Sequence, residues 1–192
     1  MTSAGRPDPR GVPIEFEPQS LPGAFLIKPN PFHDERGVFR RHFCAREFAA
    51  HGIASHVLQS NISENRHAFT LRGFHYQLPP HGEGKTLTCL RGKLHDIMVD
   101  MRSDSPTFMK WISFELDGVN RHSIHIPPGC ANAFMTMEDD TIVYYVVSEF
   151  YQSSAERGVR WNDPRFGFRW PRDPAHISAK DAGWPDYVSP QA

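Results

Sequence analysis

From His56 onward the pattern of hydrophobic and polar positions is nearly all that of short strands. In "LHDIMVDMR", His95, Ile97, Val99 and Met101 fall on one side and Asp96, Met98 and Asp100 on the other, the pattern of a strand with two different faces. Further short runs, rich in β-branched and aromatic residues and bounded by Gly, Pro, Asn or Asp, are "HVLQSNISEN", "FTLRGFHYQ", "KTLTCLRGKLHDIMVDM", "KWISFELDG", "RHSIHIP", "CANAFMTME" and "TIVYYVVSEFY". Each predicts a strand, and Arg91, Gly92 and Lys93 in "LRGKL" predict a tight hairpin turn. Upstream, "GAFLIKPNPF" reads as a strand running into a proline-bounded turn and "GVFRRHF" as a second strand. One helix is expected, Cys44 to Gly52, where Ala45, Phe48 and Ala49 share a face and Gly52 is the stop.

Many short antiparallel strands imply an all-β sandwich or barrel with a few short helices, and the mouth of a barrel is a natural pocket. Residues 1–20 read as a flexible N-terminal segment, since Pro7, Pro9 and Pro13 exclude helix. Residues 21–192 read as a single domain. Its C-terminal third, "ERGVRWNDPRFGFRWPRDPAHISAKDAGWPDY", returns to loops and short helical turns, aromatic enough to pack onto a barrel.

Composition narrows the classes. A chain of 192 residues suits one core. With 39% hydrophobic residues and a net charge of -1, neither disorder nor a nucleic-acid footprint is expected. Cys44, Cys89 and Cys130 lack CxxC spacing and are odd in number, so they read as reduced thiols. No segment approaches the ~20 apolar residues of a membrane span, and "MTSAGRPDPRG" has no apolar signal core. The expectation is a cytoplasmic protein without membrane contact.

The candidate chemistry centres on "LRGFHYQLPPHGEGK". Alternation puts His75 on one face with Gly73 and Gln77, and Arg72, Phe74 and Tyr76 on the other. Small Gly73 leaves room for a ligand beside His75. Lys85, after a Pro/Gly loop, begins the next strand and can bring its ammonium to the barrel mouth. Asp163 in "RWNDP" is the candidate to accept the second ring N–H of His75 and so orient it as a base. Tyr145 in "IVYYVV" offers a phenol. Each residue also has a plainer reading: a hydrogen-bonded core histidine, a solvated lysine, an Asx-turn before Pro164 and a packed tyrosine. A metal site is the rival, but His122 and His125 in "RHSIH" are three apart, on opposite faces of a strand, so no metal is expected.

Taken in order, "DERGVF", "QSNIS", "LRGFHYQ", "GKLHDIMVDMRSDSPTF", "IPPGCANAF", "WNDP", "FRWP" and "SAKD" resemble the signature segments of the dTDP-4-dehydrorhamnose 3,5-epimerases, from about Leu21 to Pro185. The resemblance implies a cupin-type jelly roll, a homodimer with exchanged N-terminal strands, and an isomerase of nucleotide-sugar biosynthesis that needs no cofactor or metal. It implies that His75 is the base, held by Asp163, that Lys85 faces the keto oxygen and that Tyr145 acts from the opposite face of the sugar. Arg36, Phe39, Gln59, Asn61 and Arg72 would line the nucleotide and sugar sites, with Asn132 and Trp161 beside them.

The chemistry is consistent with that. A C–H next to a ketone is removable once a preorganised cation stabilises the enolate, and imidazole, which titrates near about 6.5 in model peptides, suits proton abstraction at neutral pH. No G-x-G-x-x-G is present, and none is needed for a reaction without hydride transfer. Three positions depart from the family pattern: Arg41 replaces a glutamate, Asn132 a histidine and Val146 a lysine. The expected function is inversion at C3, C5 or both of a nucleotide 4-keto-hexose. A single-centre epimerase on another nucleotide sugar, a non-catalytic sugar-nucleotide binding barrel and a metal-dependent cupin oxygenase stand as alternatives.

Overall fold

The computed structural model describes residues 13–188. In chain order its elements are β1 (Glu15–Pro18), β2 (Phe25–Lys28), β3 (Phe32–Asp34), β4 (Gly37–Phe39), α1 (Ala45–Ala50), β5 (Gln59–Asn65), β6 (Thr70–Gln77), β7 (Lys85–Arg91) and β8 (Lys93–Asp100). There follow β9 (Trp111–Asp117), β10 (Ser123–Ile126), β11 (Cys130–Thr136), β12 (Thr141–Val147), β13 (Glu156–Gly158), β14 (His176–Ile177) and α2 (Ala179–Ala182). One sheet runs β1-β2-β10-β7-β12-β5 and the other β13-β6-β11-β8-β9, with β14 added parallel to β6; β3 and β4 form a separate hairpin. The two large sheets make the expected jelly-roll barrel.

Alternation explains the layering. The inward residues of both sheets, among them Leu87, Leu94, Met98, Leu116, Ile124, Phe134 and Val143, meet in the central core. The outward residues of the second sheet, Phe74, Ile97, Val99, Ala131 and Ala133, are covered by Val159, Phe166, Phe168 and Trp170 of the C-terminal segment. Phe48 of α1 caps the outer face of the first sheet with Ile14, Ile27 and Ile53. Gly52, at φ 72°, ends the helix as expected.

Two expectations are corrected. The N-terminal segment is ordered from Pro13, and Glu15–Pro18 form β1, paired to β2. The remainder of the flexible segment, 1–12, lies outside the described residues. The turn at Gly92 is no hairpin: β7 pairs with β10 and β12, whereas β8 pairs with β9 and β11, so the chain crosses between sheets there. Gly92 has φ 77°, and a Cβ would collide with Thr141.

The "DMRSDSPTF" segment is built on one carboxylate. Asp100, fully buried, accepts from Arg102 Nε and Nη2, each at 2.8 Å, and from Ser105 Oγ and Thr107 Oγ1, each at 2.6 Å. Burial pushes its pKa up, but these donors outweigh it and hold the carboxyl well below the usual range. A depressed folded-state pKa stabilises above the unfolded value, near about 3.9, and the gain is lost as pH falls below it. Asp100→Asn should therefore cost about 2 kcal/mol at pH 7, low for a buried pair because Arg102 stays partly in water. In urea titrations the gap to wild type should close as the pH is lowered below about 4; a gap constant from pH 7 to 3 would contradict the assignment.

Candidate functional site

A cavity of about 340 Å³ opens into the barrel, lined by Arg72, His75, Lys85, Asn132, Tyr145 and Asp181 among others. A second, of about 250 Å³, shares His75, Lys85 and Tyr145 with it and adds Gln59, Asn61, Glu83, Tyr151 and Glu156. Seven of the residues singled out from the sequence therefore meet in one continuous space: Gln59, Asn61, Arg72, His75, Lys85, Asn132 and Tyr145.

Arg72 and His75 share this space against the alternation rule. On β11, Asn132 and Phe134 are two apart, yet they oppose His75 and Arg72, which are three apart on β6. β6 carries one extra residue, a bulge that turns both side chains inward while Phe74 packs outward on Phe168. Gly73 makes it possible. Its φ is 115°, and a Cβ would lie 2.5 Å from the Asn132 carbonyl oxygen and 2.7 Å from Ala133 Cα.

Asp163 is not the partner of His75. It is 1% exposed and accepts the backbone N–H groups of Arg165 and Tyr187, tying the loop of the C-terminal segment together. The partner is Asp181, whose Oδ1 lies 2.7 Å from His75 Nε2. Its Oδ2 accepts the Gly73 N–H at 3.2 Å, and its own N–H bonds to the Ser178 hydroxyl that caps α2. Burial drives the Asp181 pKa up, but His75, the Gly73 N–H and Ser178 prevail and leave it below the ordinary carboxylate value. "SAKD" contained the signal: Ser followed three residues later by an acid marks a helix start, and β14 beside β6 brings that start to His75.

Opposite His75, the Lys85 ammonium donates to Asn132 Oδ1 at 3.1 Å, lies 3.4 Å from Glu83 and sits 5.7 Å from the Tyr145 ring centroid. Burial raises the Tyr145 pKa, Glu83 adds to the effect and Arg72 opposes it, so the phenol holds its proton at neutral pH.

Other expected residues lie elsewhere. Trp161 lines a separate hollow with Asp163 and Trp170. Arg36 and Phe39 are on the β3–β4 hairpin, the Arg36 side chain 84% exposed and paired to Asp34. Arg41 pairs with Glu47 of α1 at 3.1 Å, and Val146 faces Phe48 rather than the cavity. His122 precedes β10, and His125 within it lies 3.0 Å from Thr86 Oγ1, its pKa lowered by burial to about 4. Among the described residues no three His, Cys, Asp or Glu side chains converge on a point, and no helix is long and apolar enough to cross a membrane.

A family model described as dTDP-4-dehydrorhamnose 3,5-epimerase matches residues 18–188. The chain belongs to that family. A dTDP-4-dehydrorhamnose 3,5-epimerase of Sinorhizobium fredii is 37% identical over 171 residues, 88% of each chain. Among solved structures, the Bacillus anthracis dTDP-4-dehydrorhamnose 3,5-epimerase with TDP and PPi bound matches with a TM-score of 0.87 at 32% identity, covering 90% of this chain and 99% of that one. A 3'-monoepimerase from Streptomyces bikiniensis in complex with dTDP-quinovose matches with a TM-score of 0.82 at 33% identity, over 88% and 85%. The cupin-type jelly roll and the assignment as an isomerase, an epimerase of nucleotide sugars, follow.

In this epimerase fold the His75–Asp181 pair depends on how the C-terminal segment is seated. Gly158 pairs in register with His75, and a Cβ on it would overlap the Trp184 indole, three residues beyond Asp181. Gly158→Ala should loosen residues 176–187, raising their hydrogen exchange by roughly tenfold while the sheets stay protected. Unchanged exchange there would show that Trp184 does not anchor α2.

Proposed function

We propose that this chain inverts a stereocentre next to the ketone of a nucleotide-linked 4-keto-6-deoxyhexose, and that His75, Asp181, Lys85 and Tyr145 carry the reaction. The single observation behind this reading is the hydrogen-bonded His75–Asp181 pair facing Lys85 and Tyr145 across one cavity. His75 takes the proton from the carbon beside the ketone. Asp181 holds the ring and stabilises the imidazolium that forms. The C–H electron pair becomes the π bond to C4 while the C4=O π pair moves onto oxygen, and Lys85 stabilises that enolate oxygen. Tyr145, protonated at neutral pH, returns a proton to the opposite face, and exchange with solvent resets both groups. Arg72, steadied by its Nε bond to Asn65 Oδ1 at 2.8 Å, has its terminal guanidinium N–H groups left for phosphate oxygens.

The family includes proteins named for inversion at both carbons and one named a 3'-monoepimerase, and we place this chain with the former. Both ends of the cavity carry polar side chains able to hold the hexose, Arg72 and Asn132 at one, Gln59 and Asn61 at the other. A dTDP sugar is the substrate we favour, because the matched relatives are named for it. The three free cysteines fit a cytoplasmic enzyme.

We also propose a homodimer. Val38 and Phe39 of the β3–β4 hairpin are 47% and 50% exposed and Ile62 on the edge strand β5 is 63% exposed, apolar surface that a second copy would cover. The hairpin would then offer Arg36 and Phe39 to the other protomer. Phe39→Asp should weaken association, read by light scattering; a wild-type monomer at micromolar concentration would contradict the proposal.

The catalytic roles are separable in deuterated water. Incubated with a dTDP-4-keto-6-deoxyhexose, wild type should place deuterium at C3 and C5. His75→Ala and Asp181→Asn should lose about a hundred- to ten-thousandfold in exchange rate, with Asp163→Asn within roughly threefold of wild type. Deuterium at one carbon alone would make the chain a single-centre enzyme. Full exchange by His75→Ala would remove the proposed base.

A further inference from the structure

The barrel interior holds a buried carboxyl that the reaction above does not use. Asp96 on β8 points inward between Leu94 and Met98 and is 0% exposed. Its Oδ2 accepts the Asn132 Nδ2 at 2.9 Å, and its Oδ1 has no partner. On its other side, Asn132 presents Oδ1 to the Lys85 ammonium at 3.1 Å. The amide has only one sensible orientation between these neighbours. An ammonium can only donate and so must meet the amide oxygen, and the carboxyl oxygen then receives the NH₂.

A carboxyl at this depth, with one donor and a bare second oxygen, is a costly way to fill a core. Its effect is directional. We propose that Asp96 is a positioning residue: it holds the Asn132 amide with its carbonyl turned toward the cavity, and through that carbonyl it fixes the ammonium of Lys85. Lys85 is otherwise a flexible four-carbon stem with a rotating point charge. Its other neighbour, the carboxylate of Glu83, is 3.4 Å away on the loop just before β7. Asn132 therefore supplies the short, uncharged tether, leaving the positive charge free for an enolate.

The protonation of Asp96 supports this design. Burial pushes its pKa up to about 8, against the Asn132 hydrogen bond and the attraction of Lys85. At neutral pH it is the acid, whose carbonyl oxygen still accepts from Asn132 and adds no negative charge behind the tether. Above about 8 it ionises, and a buried carboxylate there opposes the charge developing on the substrate oxygen. The other titratable or charged groups around the cavity are Lys85 of β7, Arg72, His75 and Tyr76 of β6, Tyr145 of β12, Glu64 of β5, Glu83 and Tyr151 of the loops, Glu156 of β13 and Asp181 of α2.

The kinetic part of the inference rests on the epimerase reading, so the test carries a second readout. D96N keeps an oxygen for Asn132 and should retain most of the exchange activity; D96L leaves the Asn132 NH₂ unpaired and should lose roughly ten- to a hundredfold in kcat with little change in KM. In protein with ¹³C-labelled lysine at pH 7, the Lys85 Cε signal should stay in place in D96N and move toward the free-lysine position in D96L. Equal kcat in D96L and wild type, or a Lys85 signal unmoved in D96L, overturns the role. If D96L folds poorly, the pH profile decides: kcat of wild type should fall as pH rises through about 8, and D96N, which leaves every other one of these groups in place, should lack that fall. Identical alkaline limbs overturn the role. A wild type that exchanges no deuterium sinks the epimerase reading, and the Lys85 signal alone then decides the inference.

Discussion

The site depends on a place where β6 has no side chain. At Gly73 the strand passes so close to Asn132 and Ala133 of β11 that a Cβ has nowhere to go, and the backbone takes a φ that other residues rarely adopt. Three things follow from that one contact. The extra residue it accommodates turns Arg72 and His75 to the same side. The Gly73 N–H is free to bind Asp181 Oδ2. Asn132 is held at the cavity wall, with its side chain between Asp96 and Lys85. A bulge, a helix start and a buried amide are thus parts of one arrangement.

Electrostatics in the cavity are set by burial more than by any ion pair. Lys85 is largely enclosed, and its nearest bonded partner is an amide. Tyr145 and Asp96 are pushed toward their neutral forms mainly by removal from water. Asp181 is kept toward its charged form by His75 and by the Gly73 amide. The cavity thus keeps a carboxylate behind the imidazole and a cation across from it, with neutral donors between, a preorganised field for moving a proton from carbon.

Much of this was legible in the sequence. Period-two patterns located β5 to β12 to within a few residues, and Phe48 and Gly52 marked α1, because those signals come from local burial and backbone preference. What failed was non-local. "LRGKL" has the residues of a hairpin, yet Gly92 serves as a corner between sheets, a distinction made by strand partners far along the chain. Alternation put Arg72 opposite His75 because a bulge adds a residue that no period contains. Asp163 and Asp181 both sit in short polar motifs of the same segment. Only the seating of β14 and Trp184 on β6 and β13 decides between them.

The separation of His75 from Asp181 in the chain has a consequence for truncation. They are 106 residues apart, with eight further strands, β7 to β14, between them. The strands that wall the cavity therefore all precede the residue that bonds the imidazole, and a chain shortened by its last dozen residues would keep those walls while leaving His75 without Asp181.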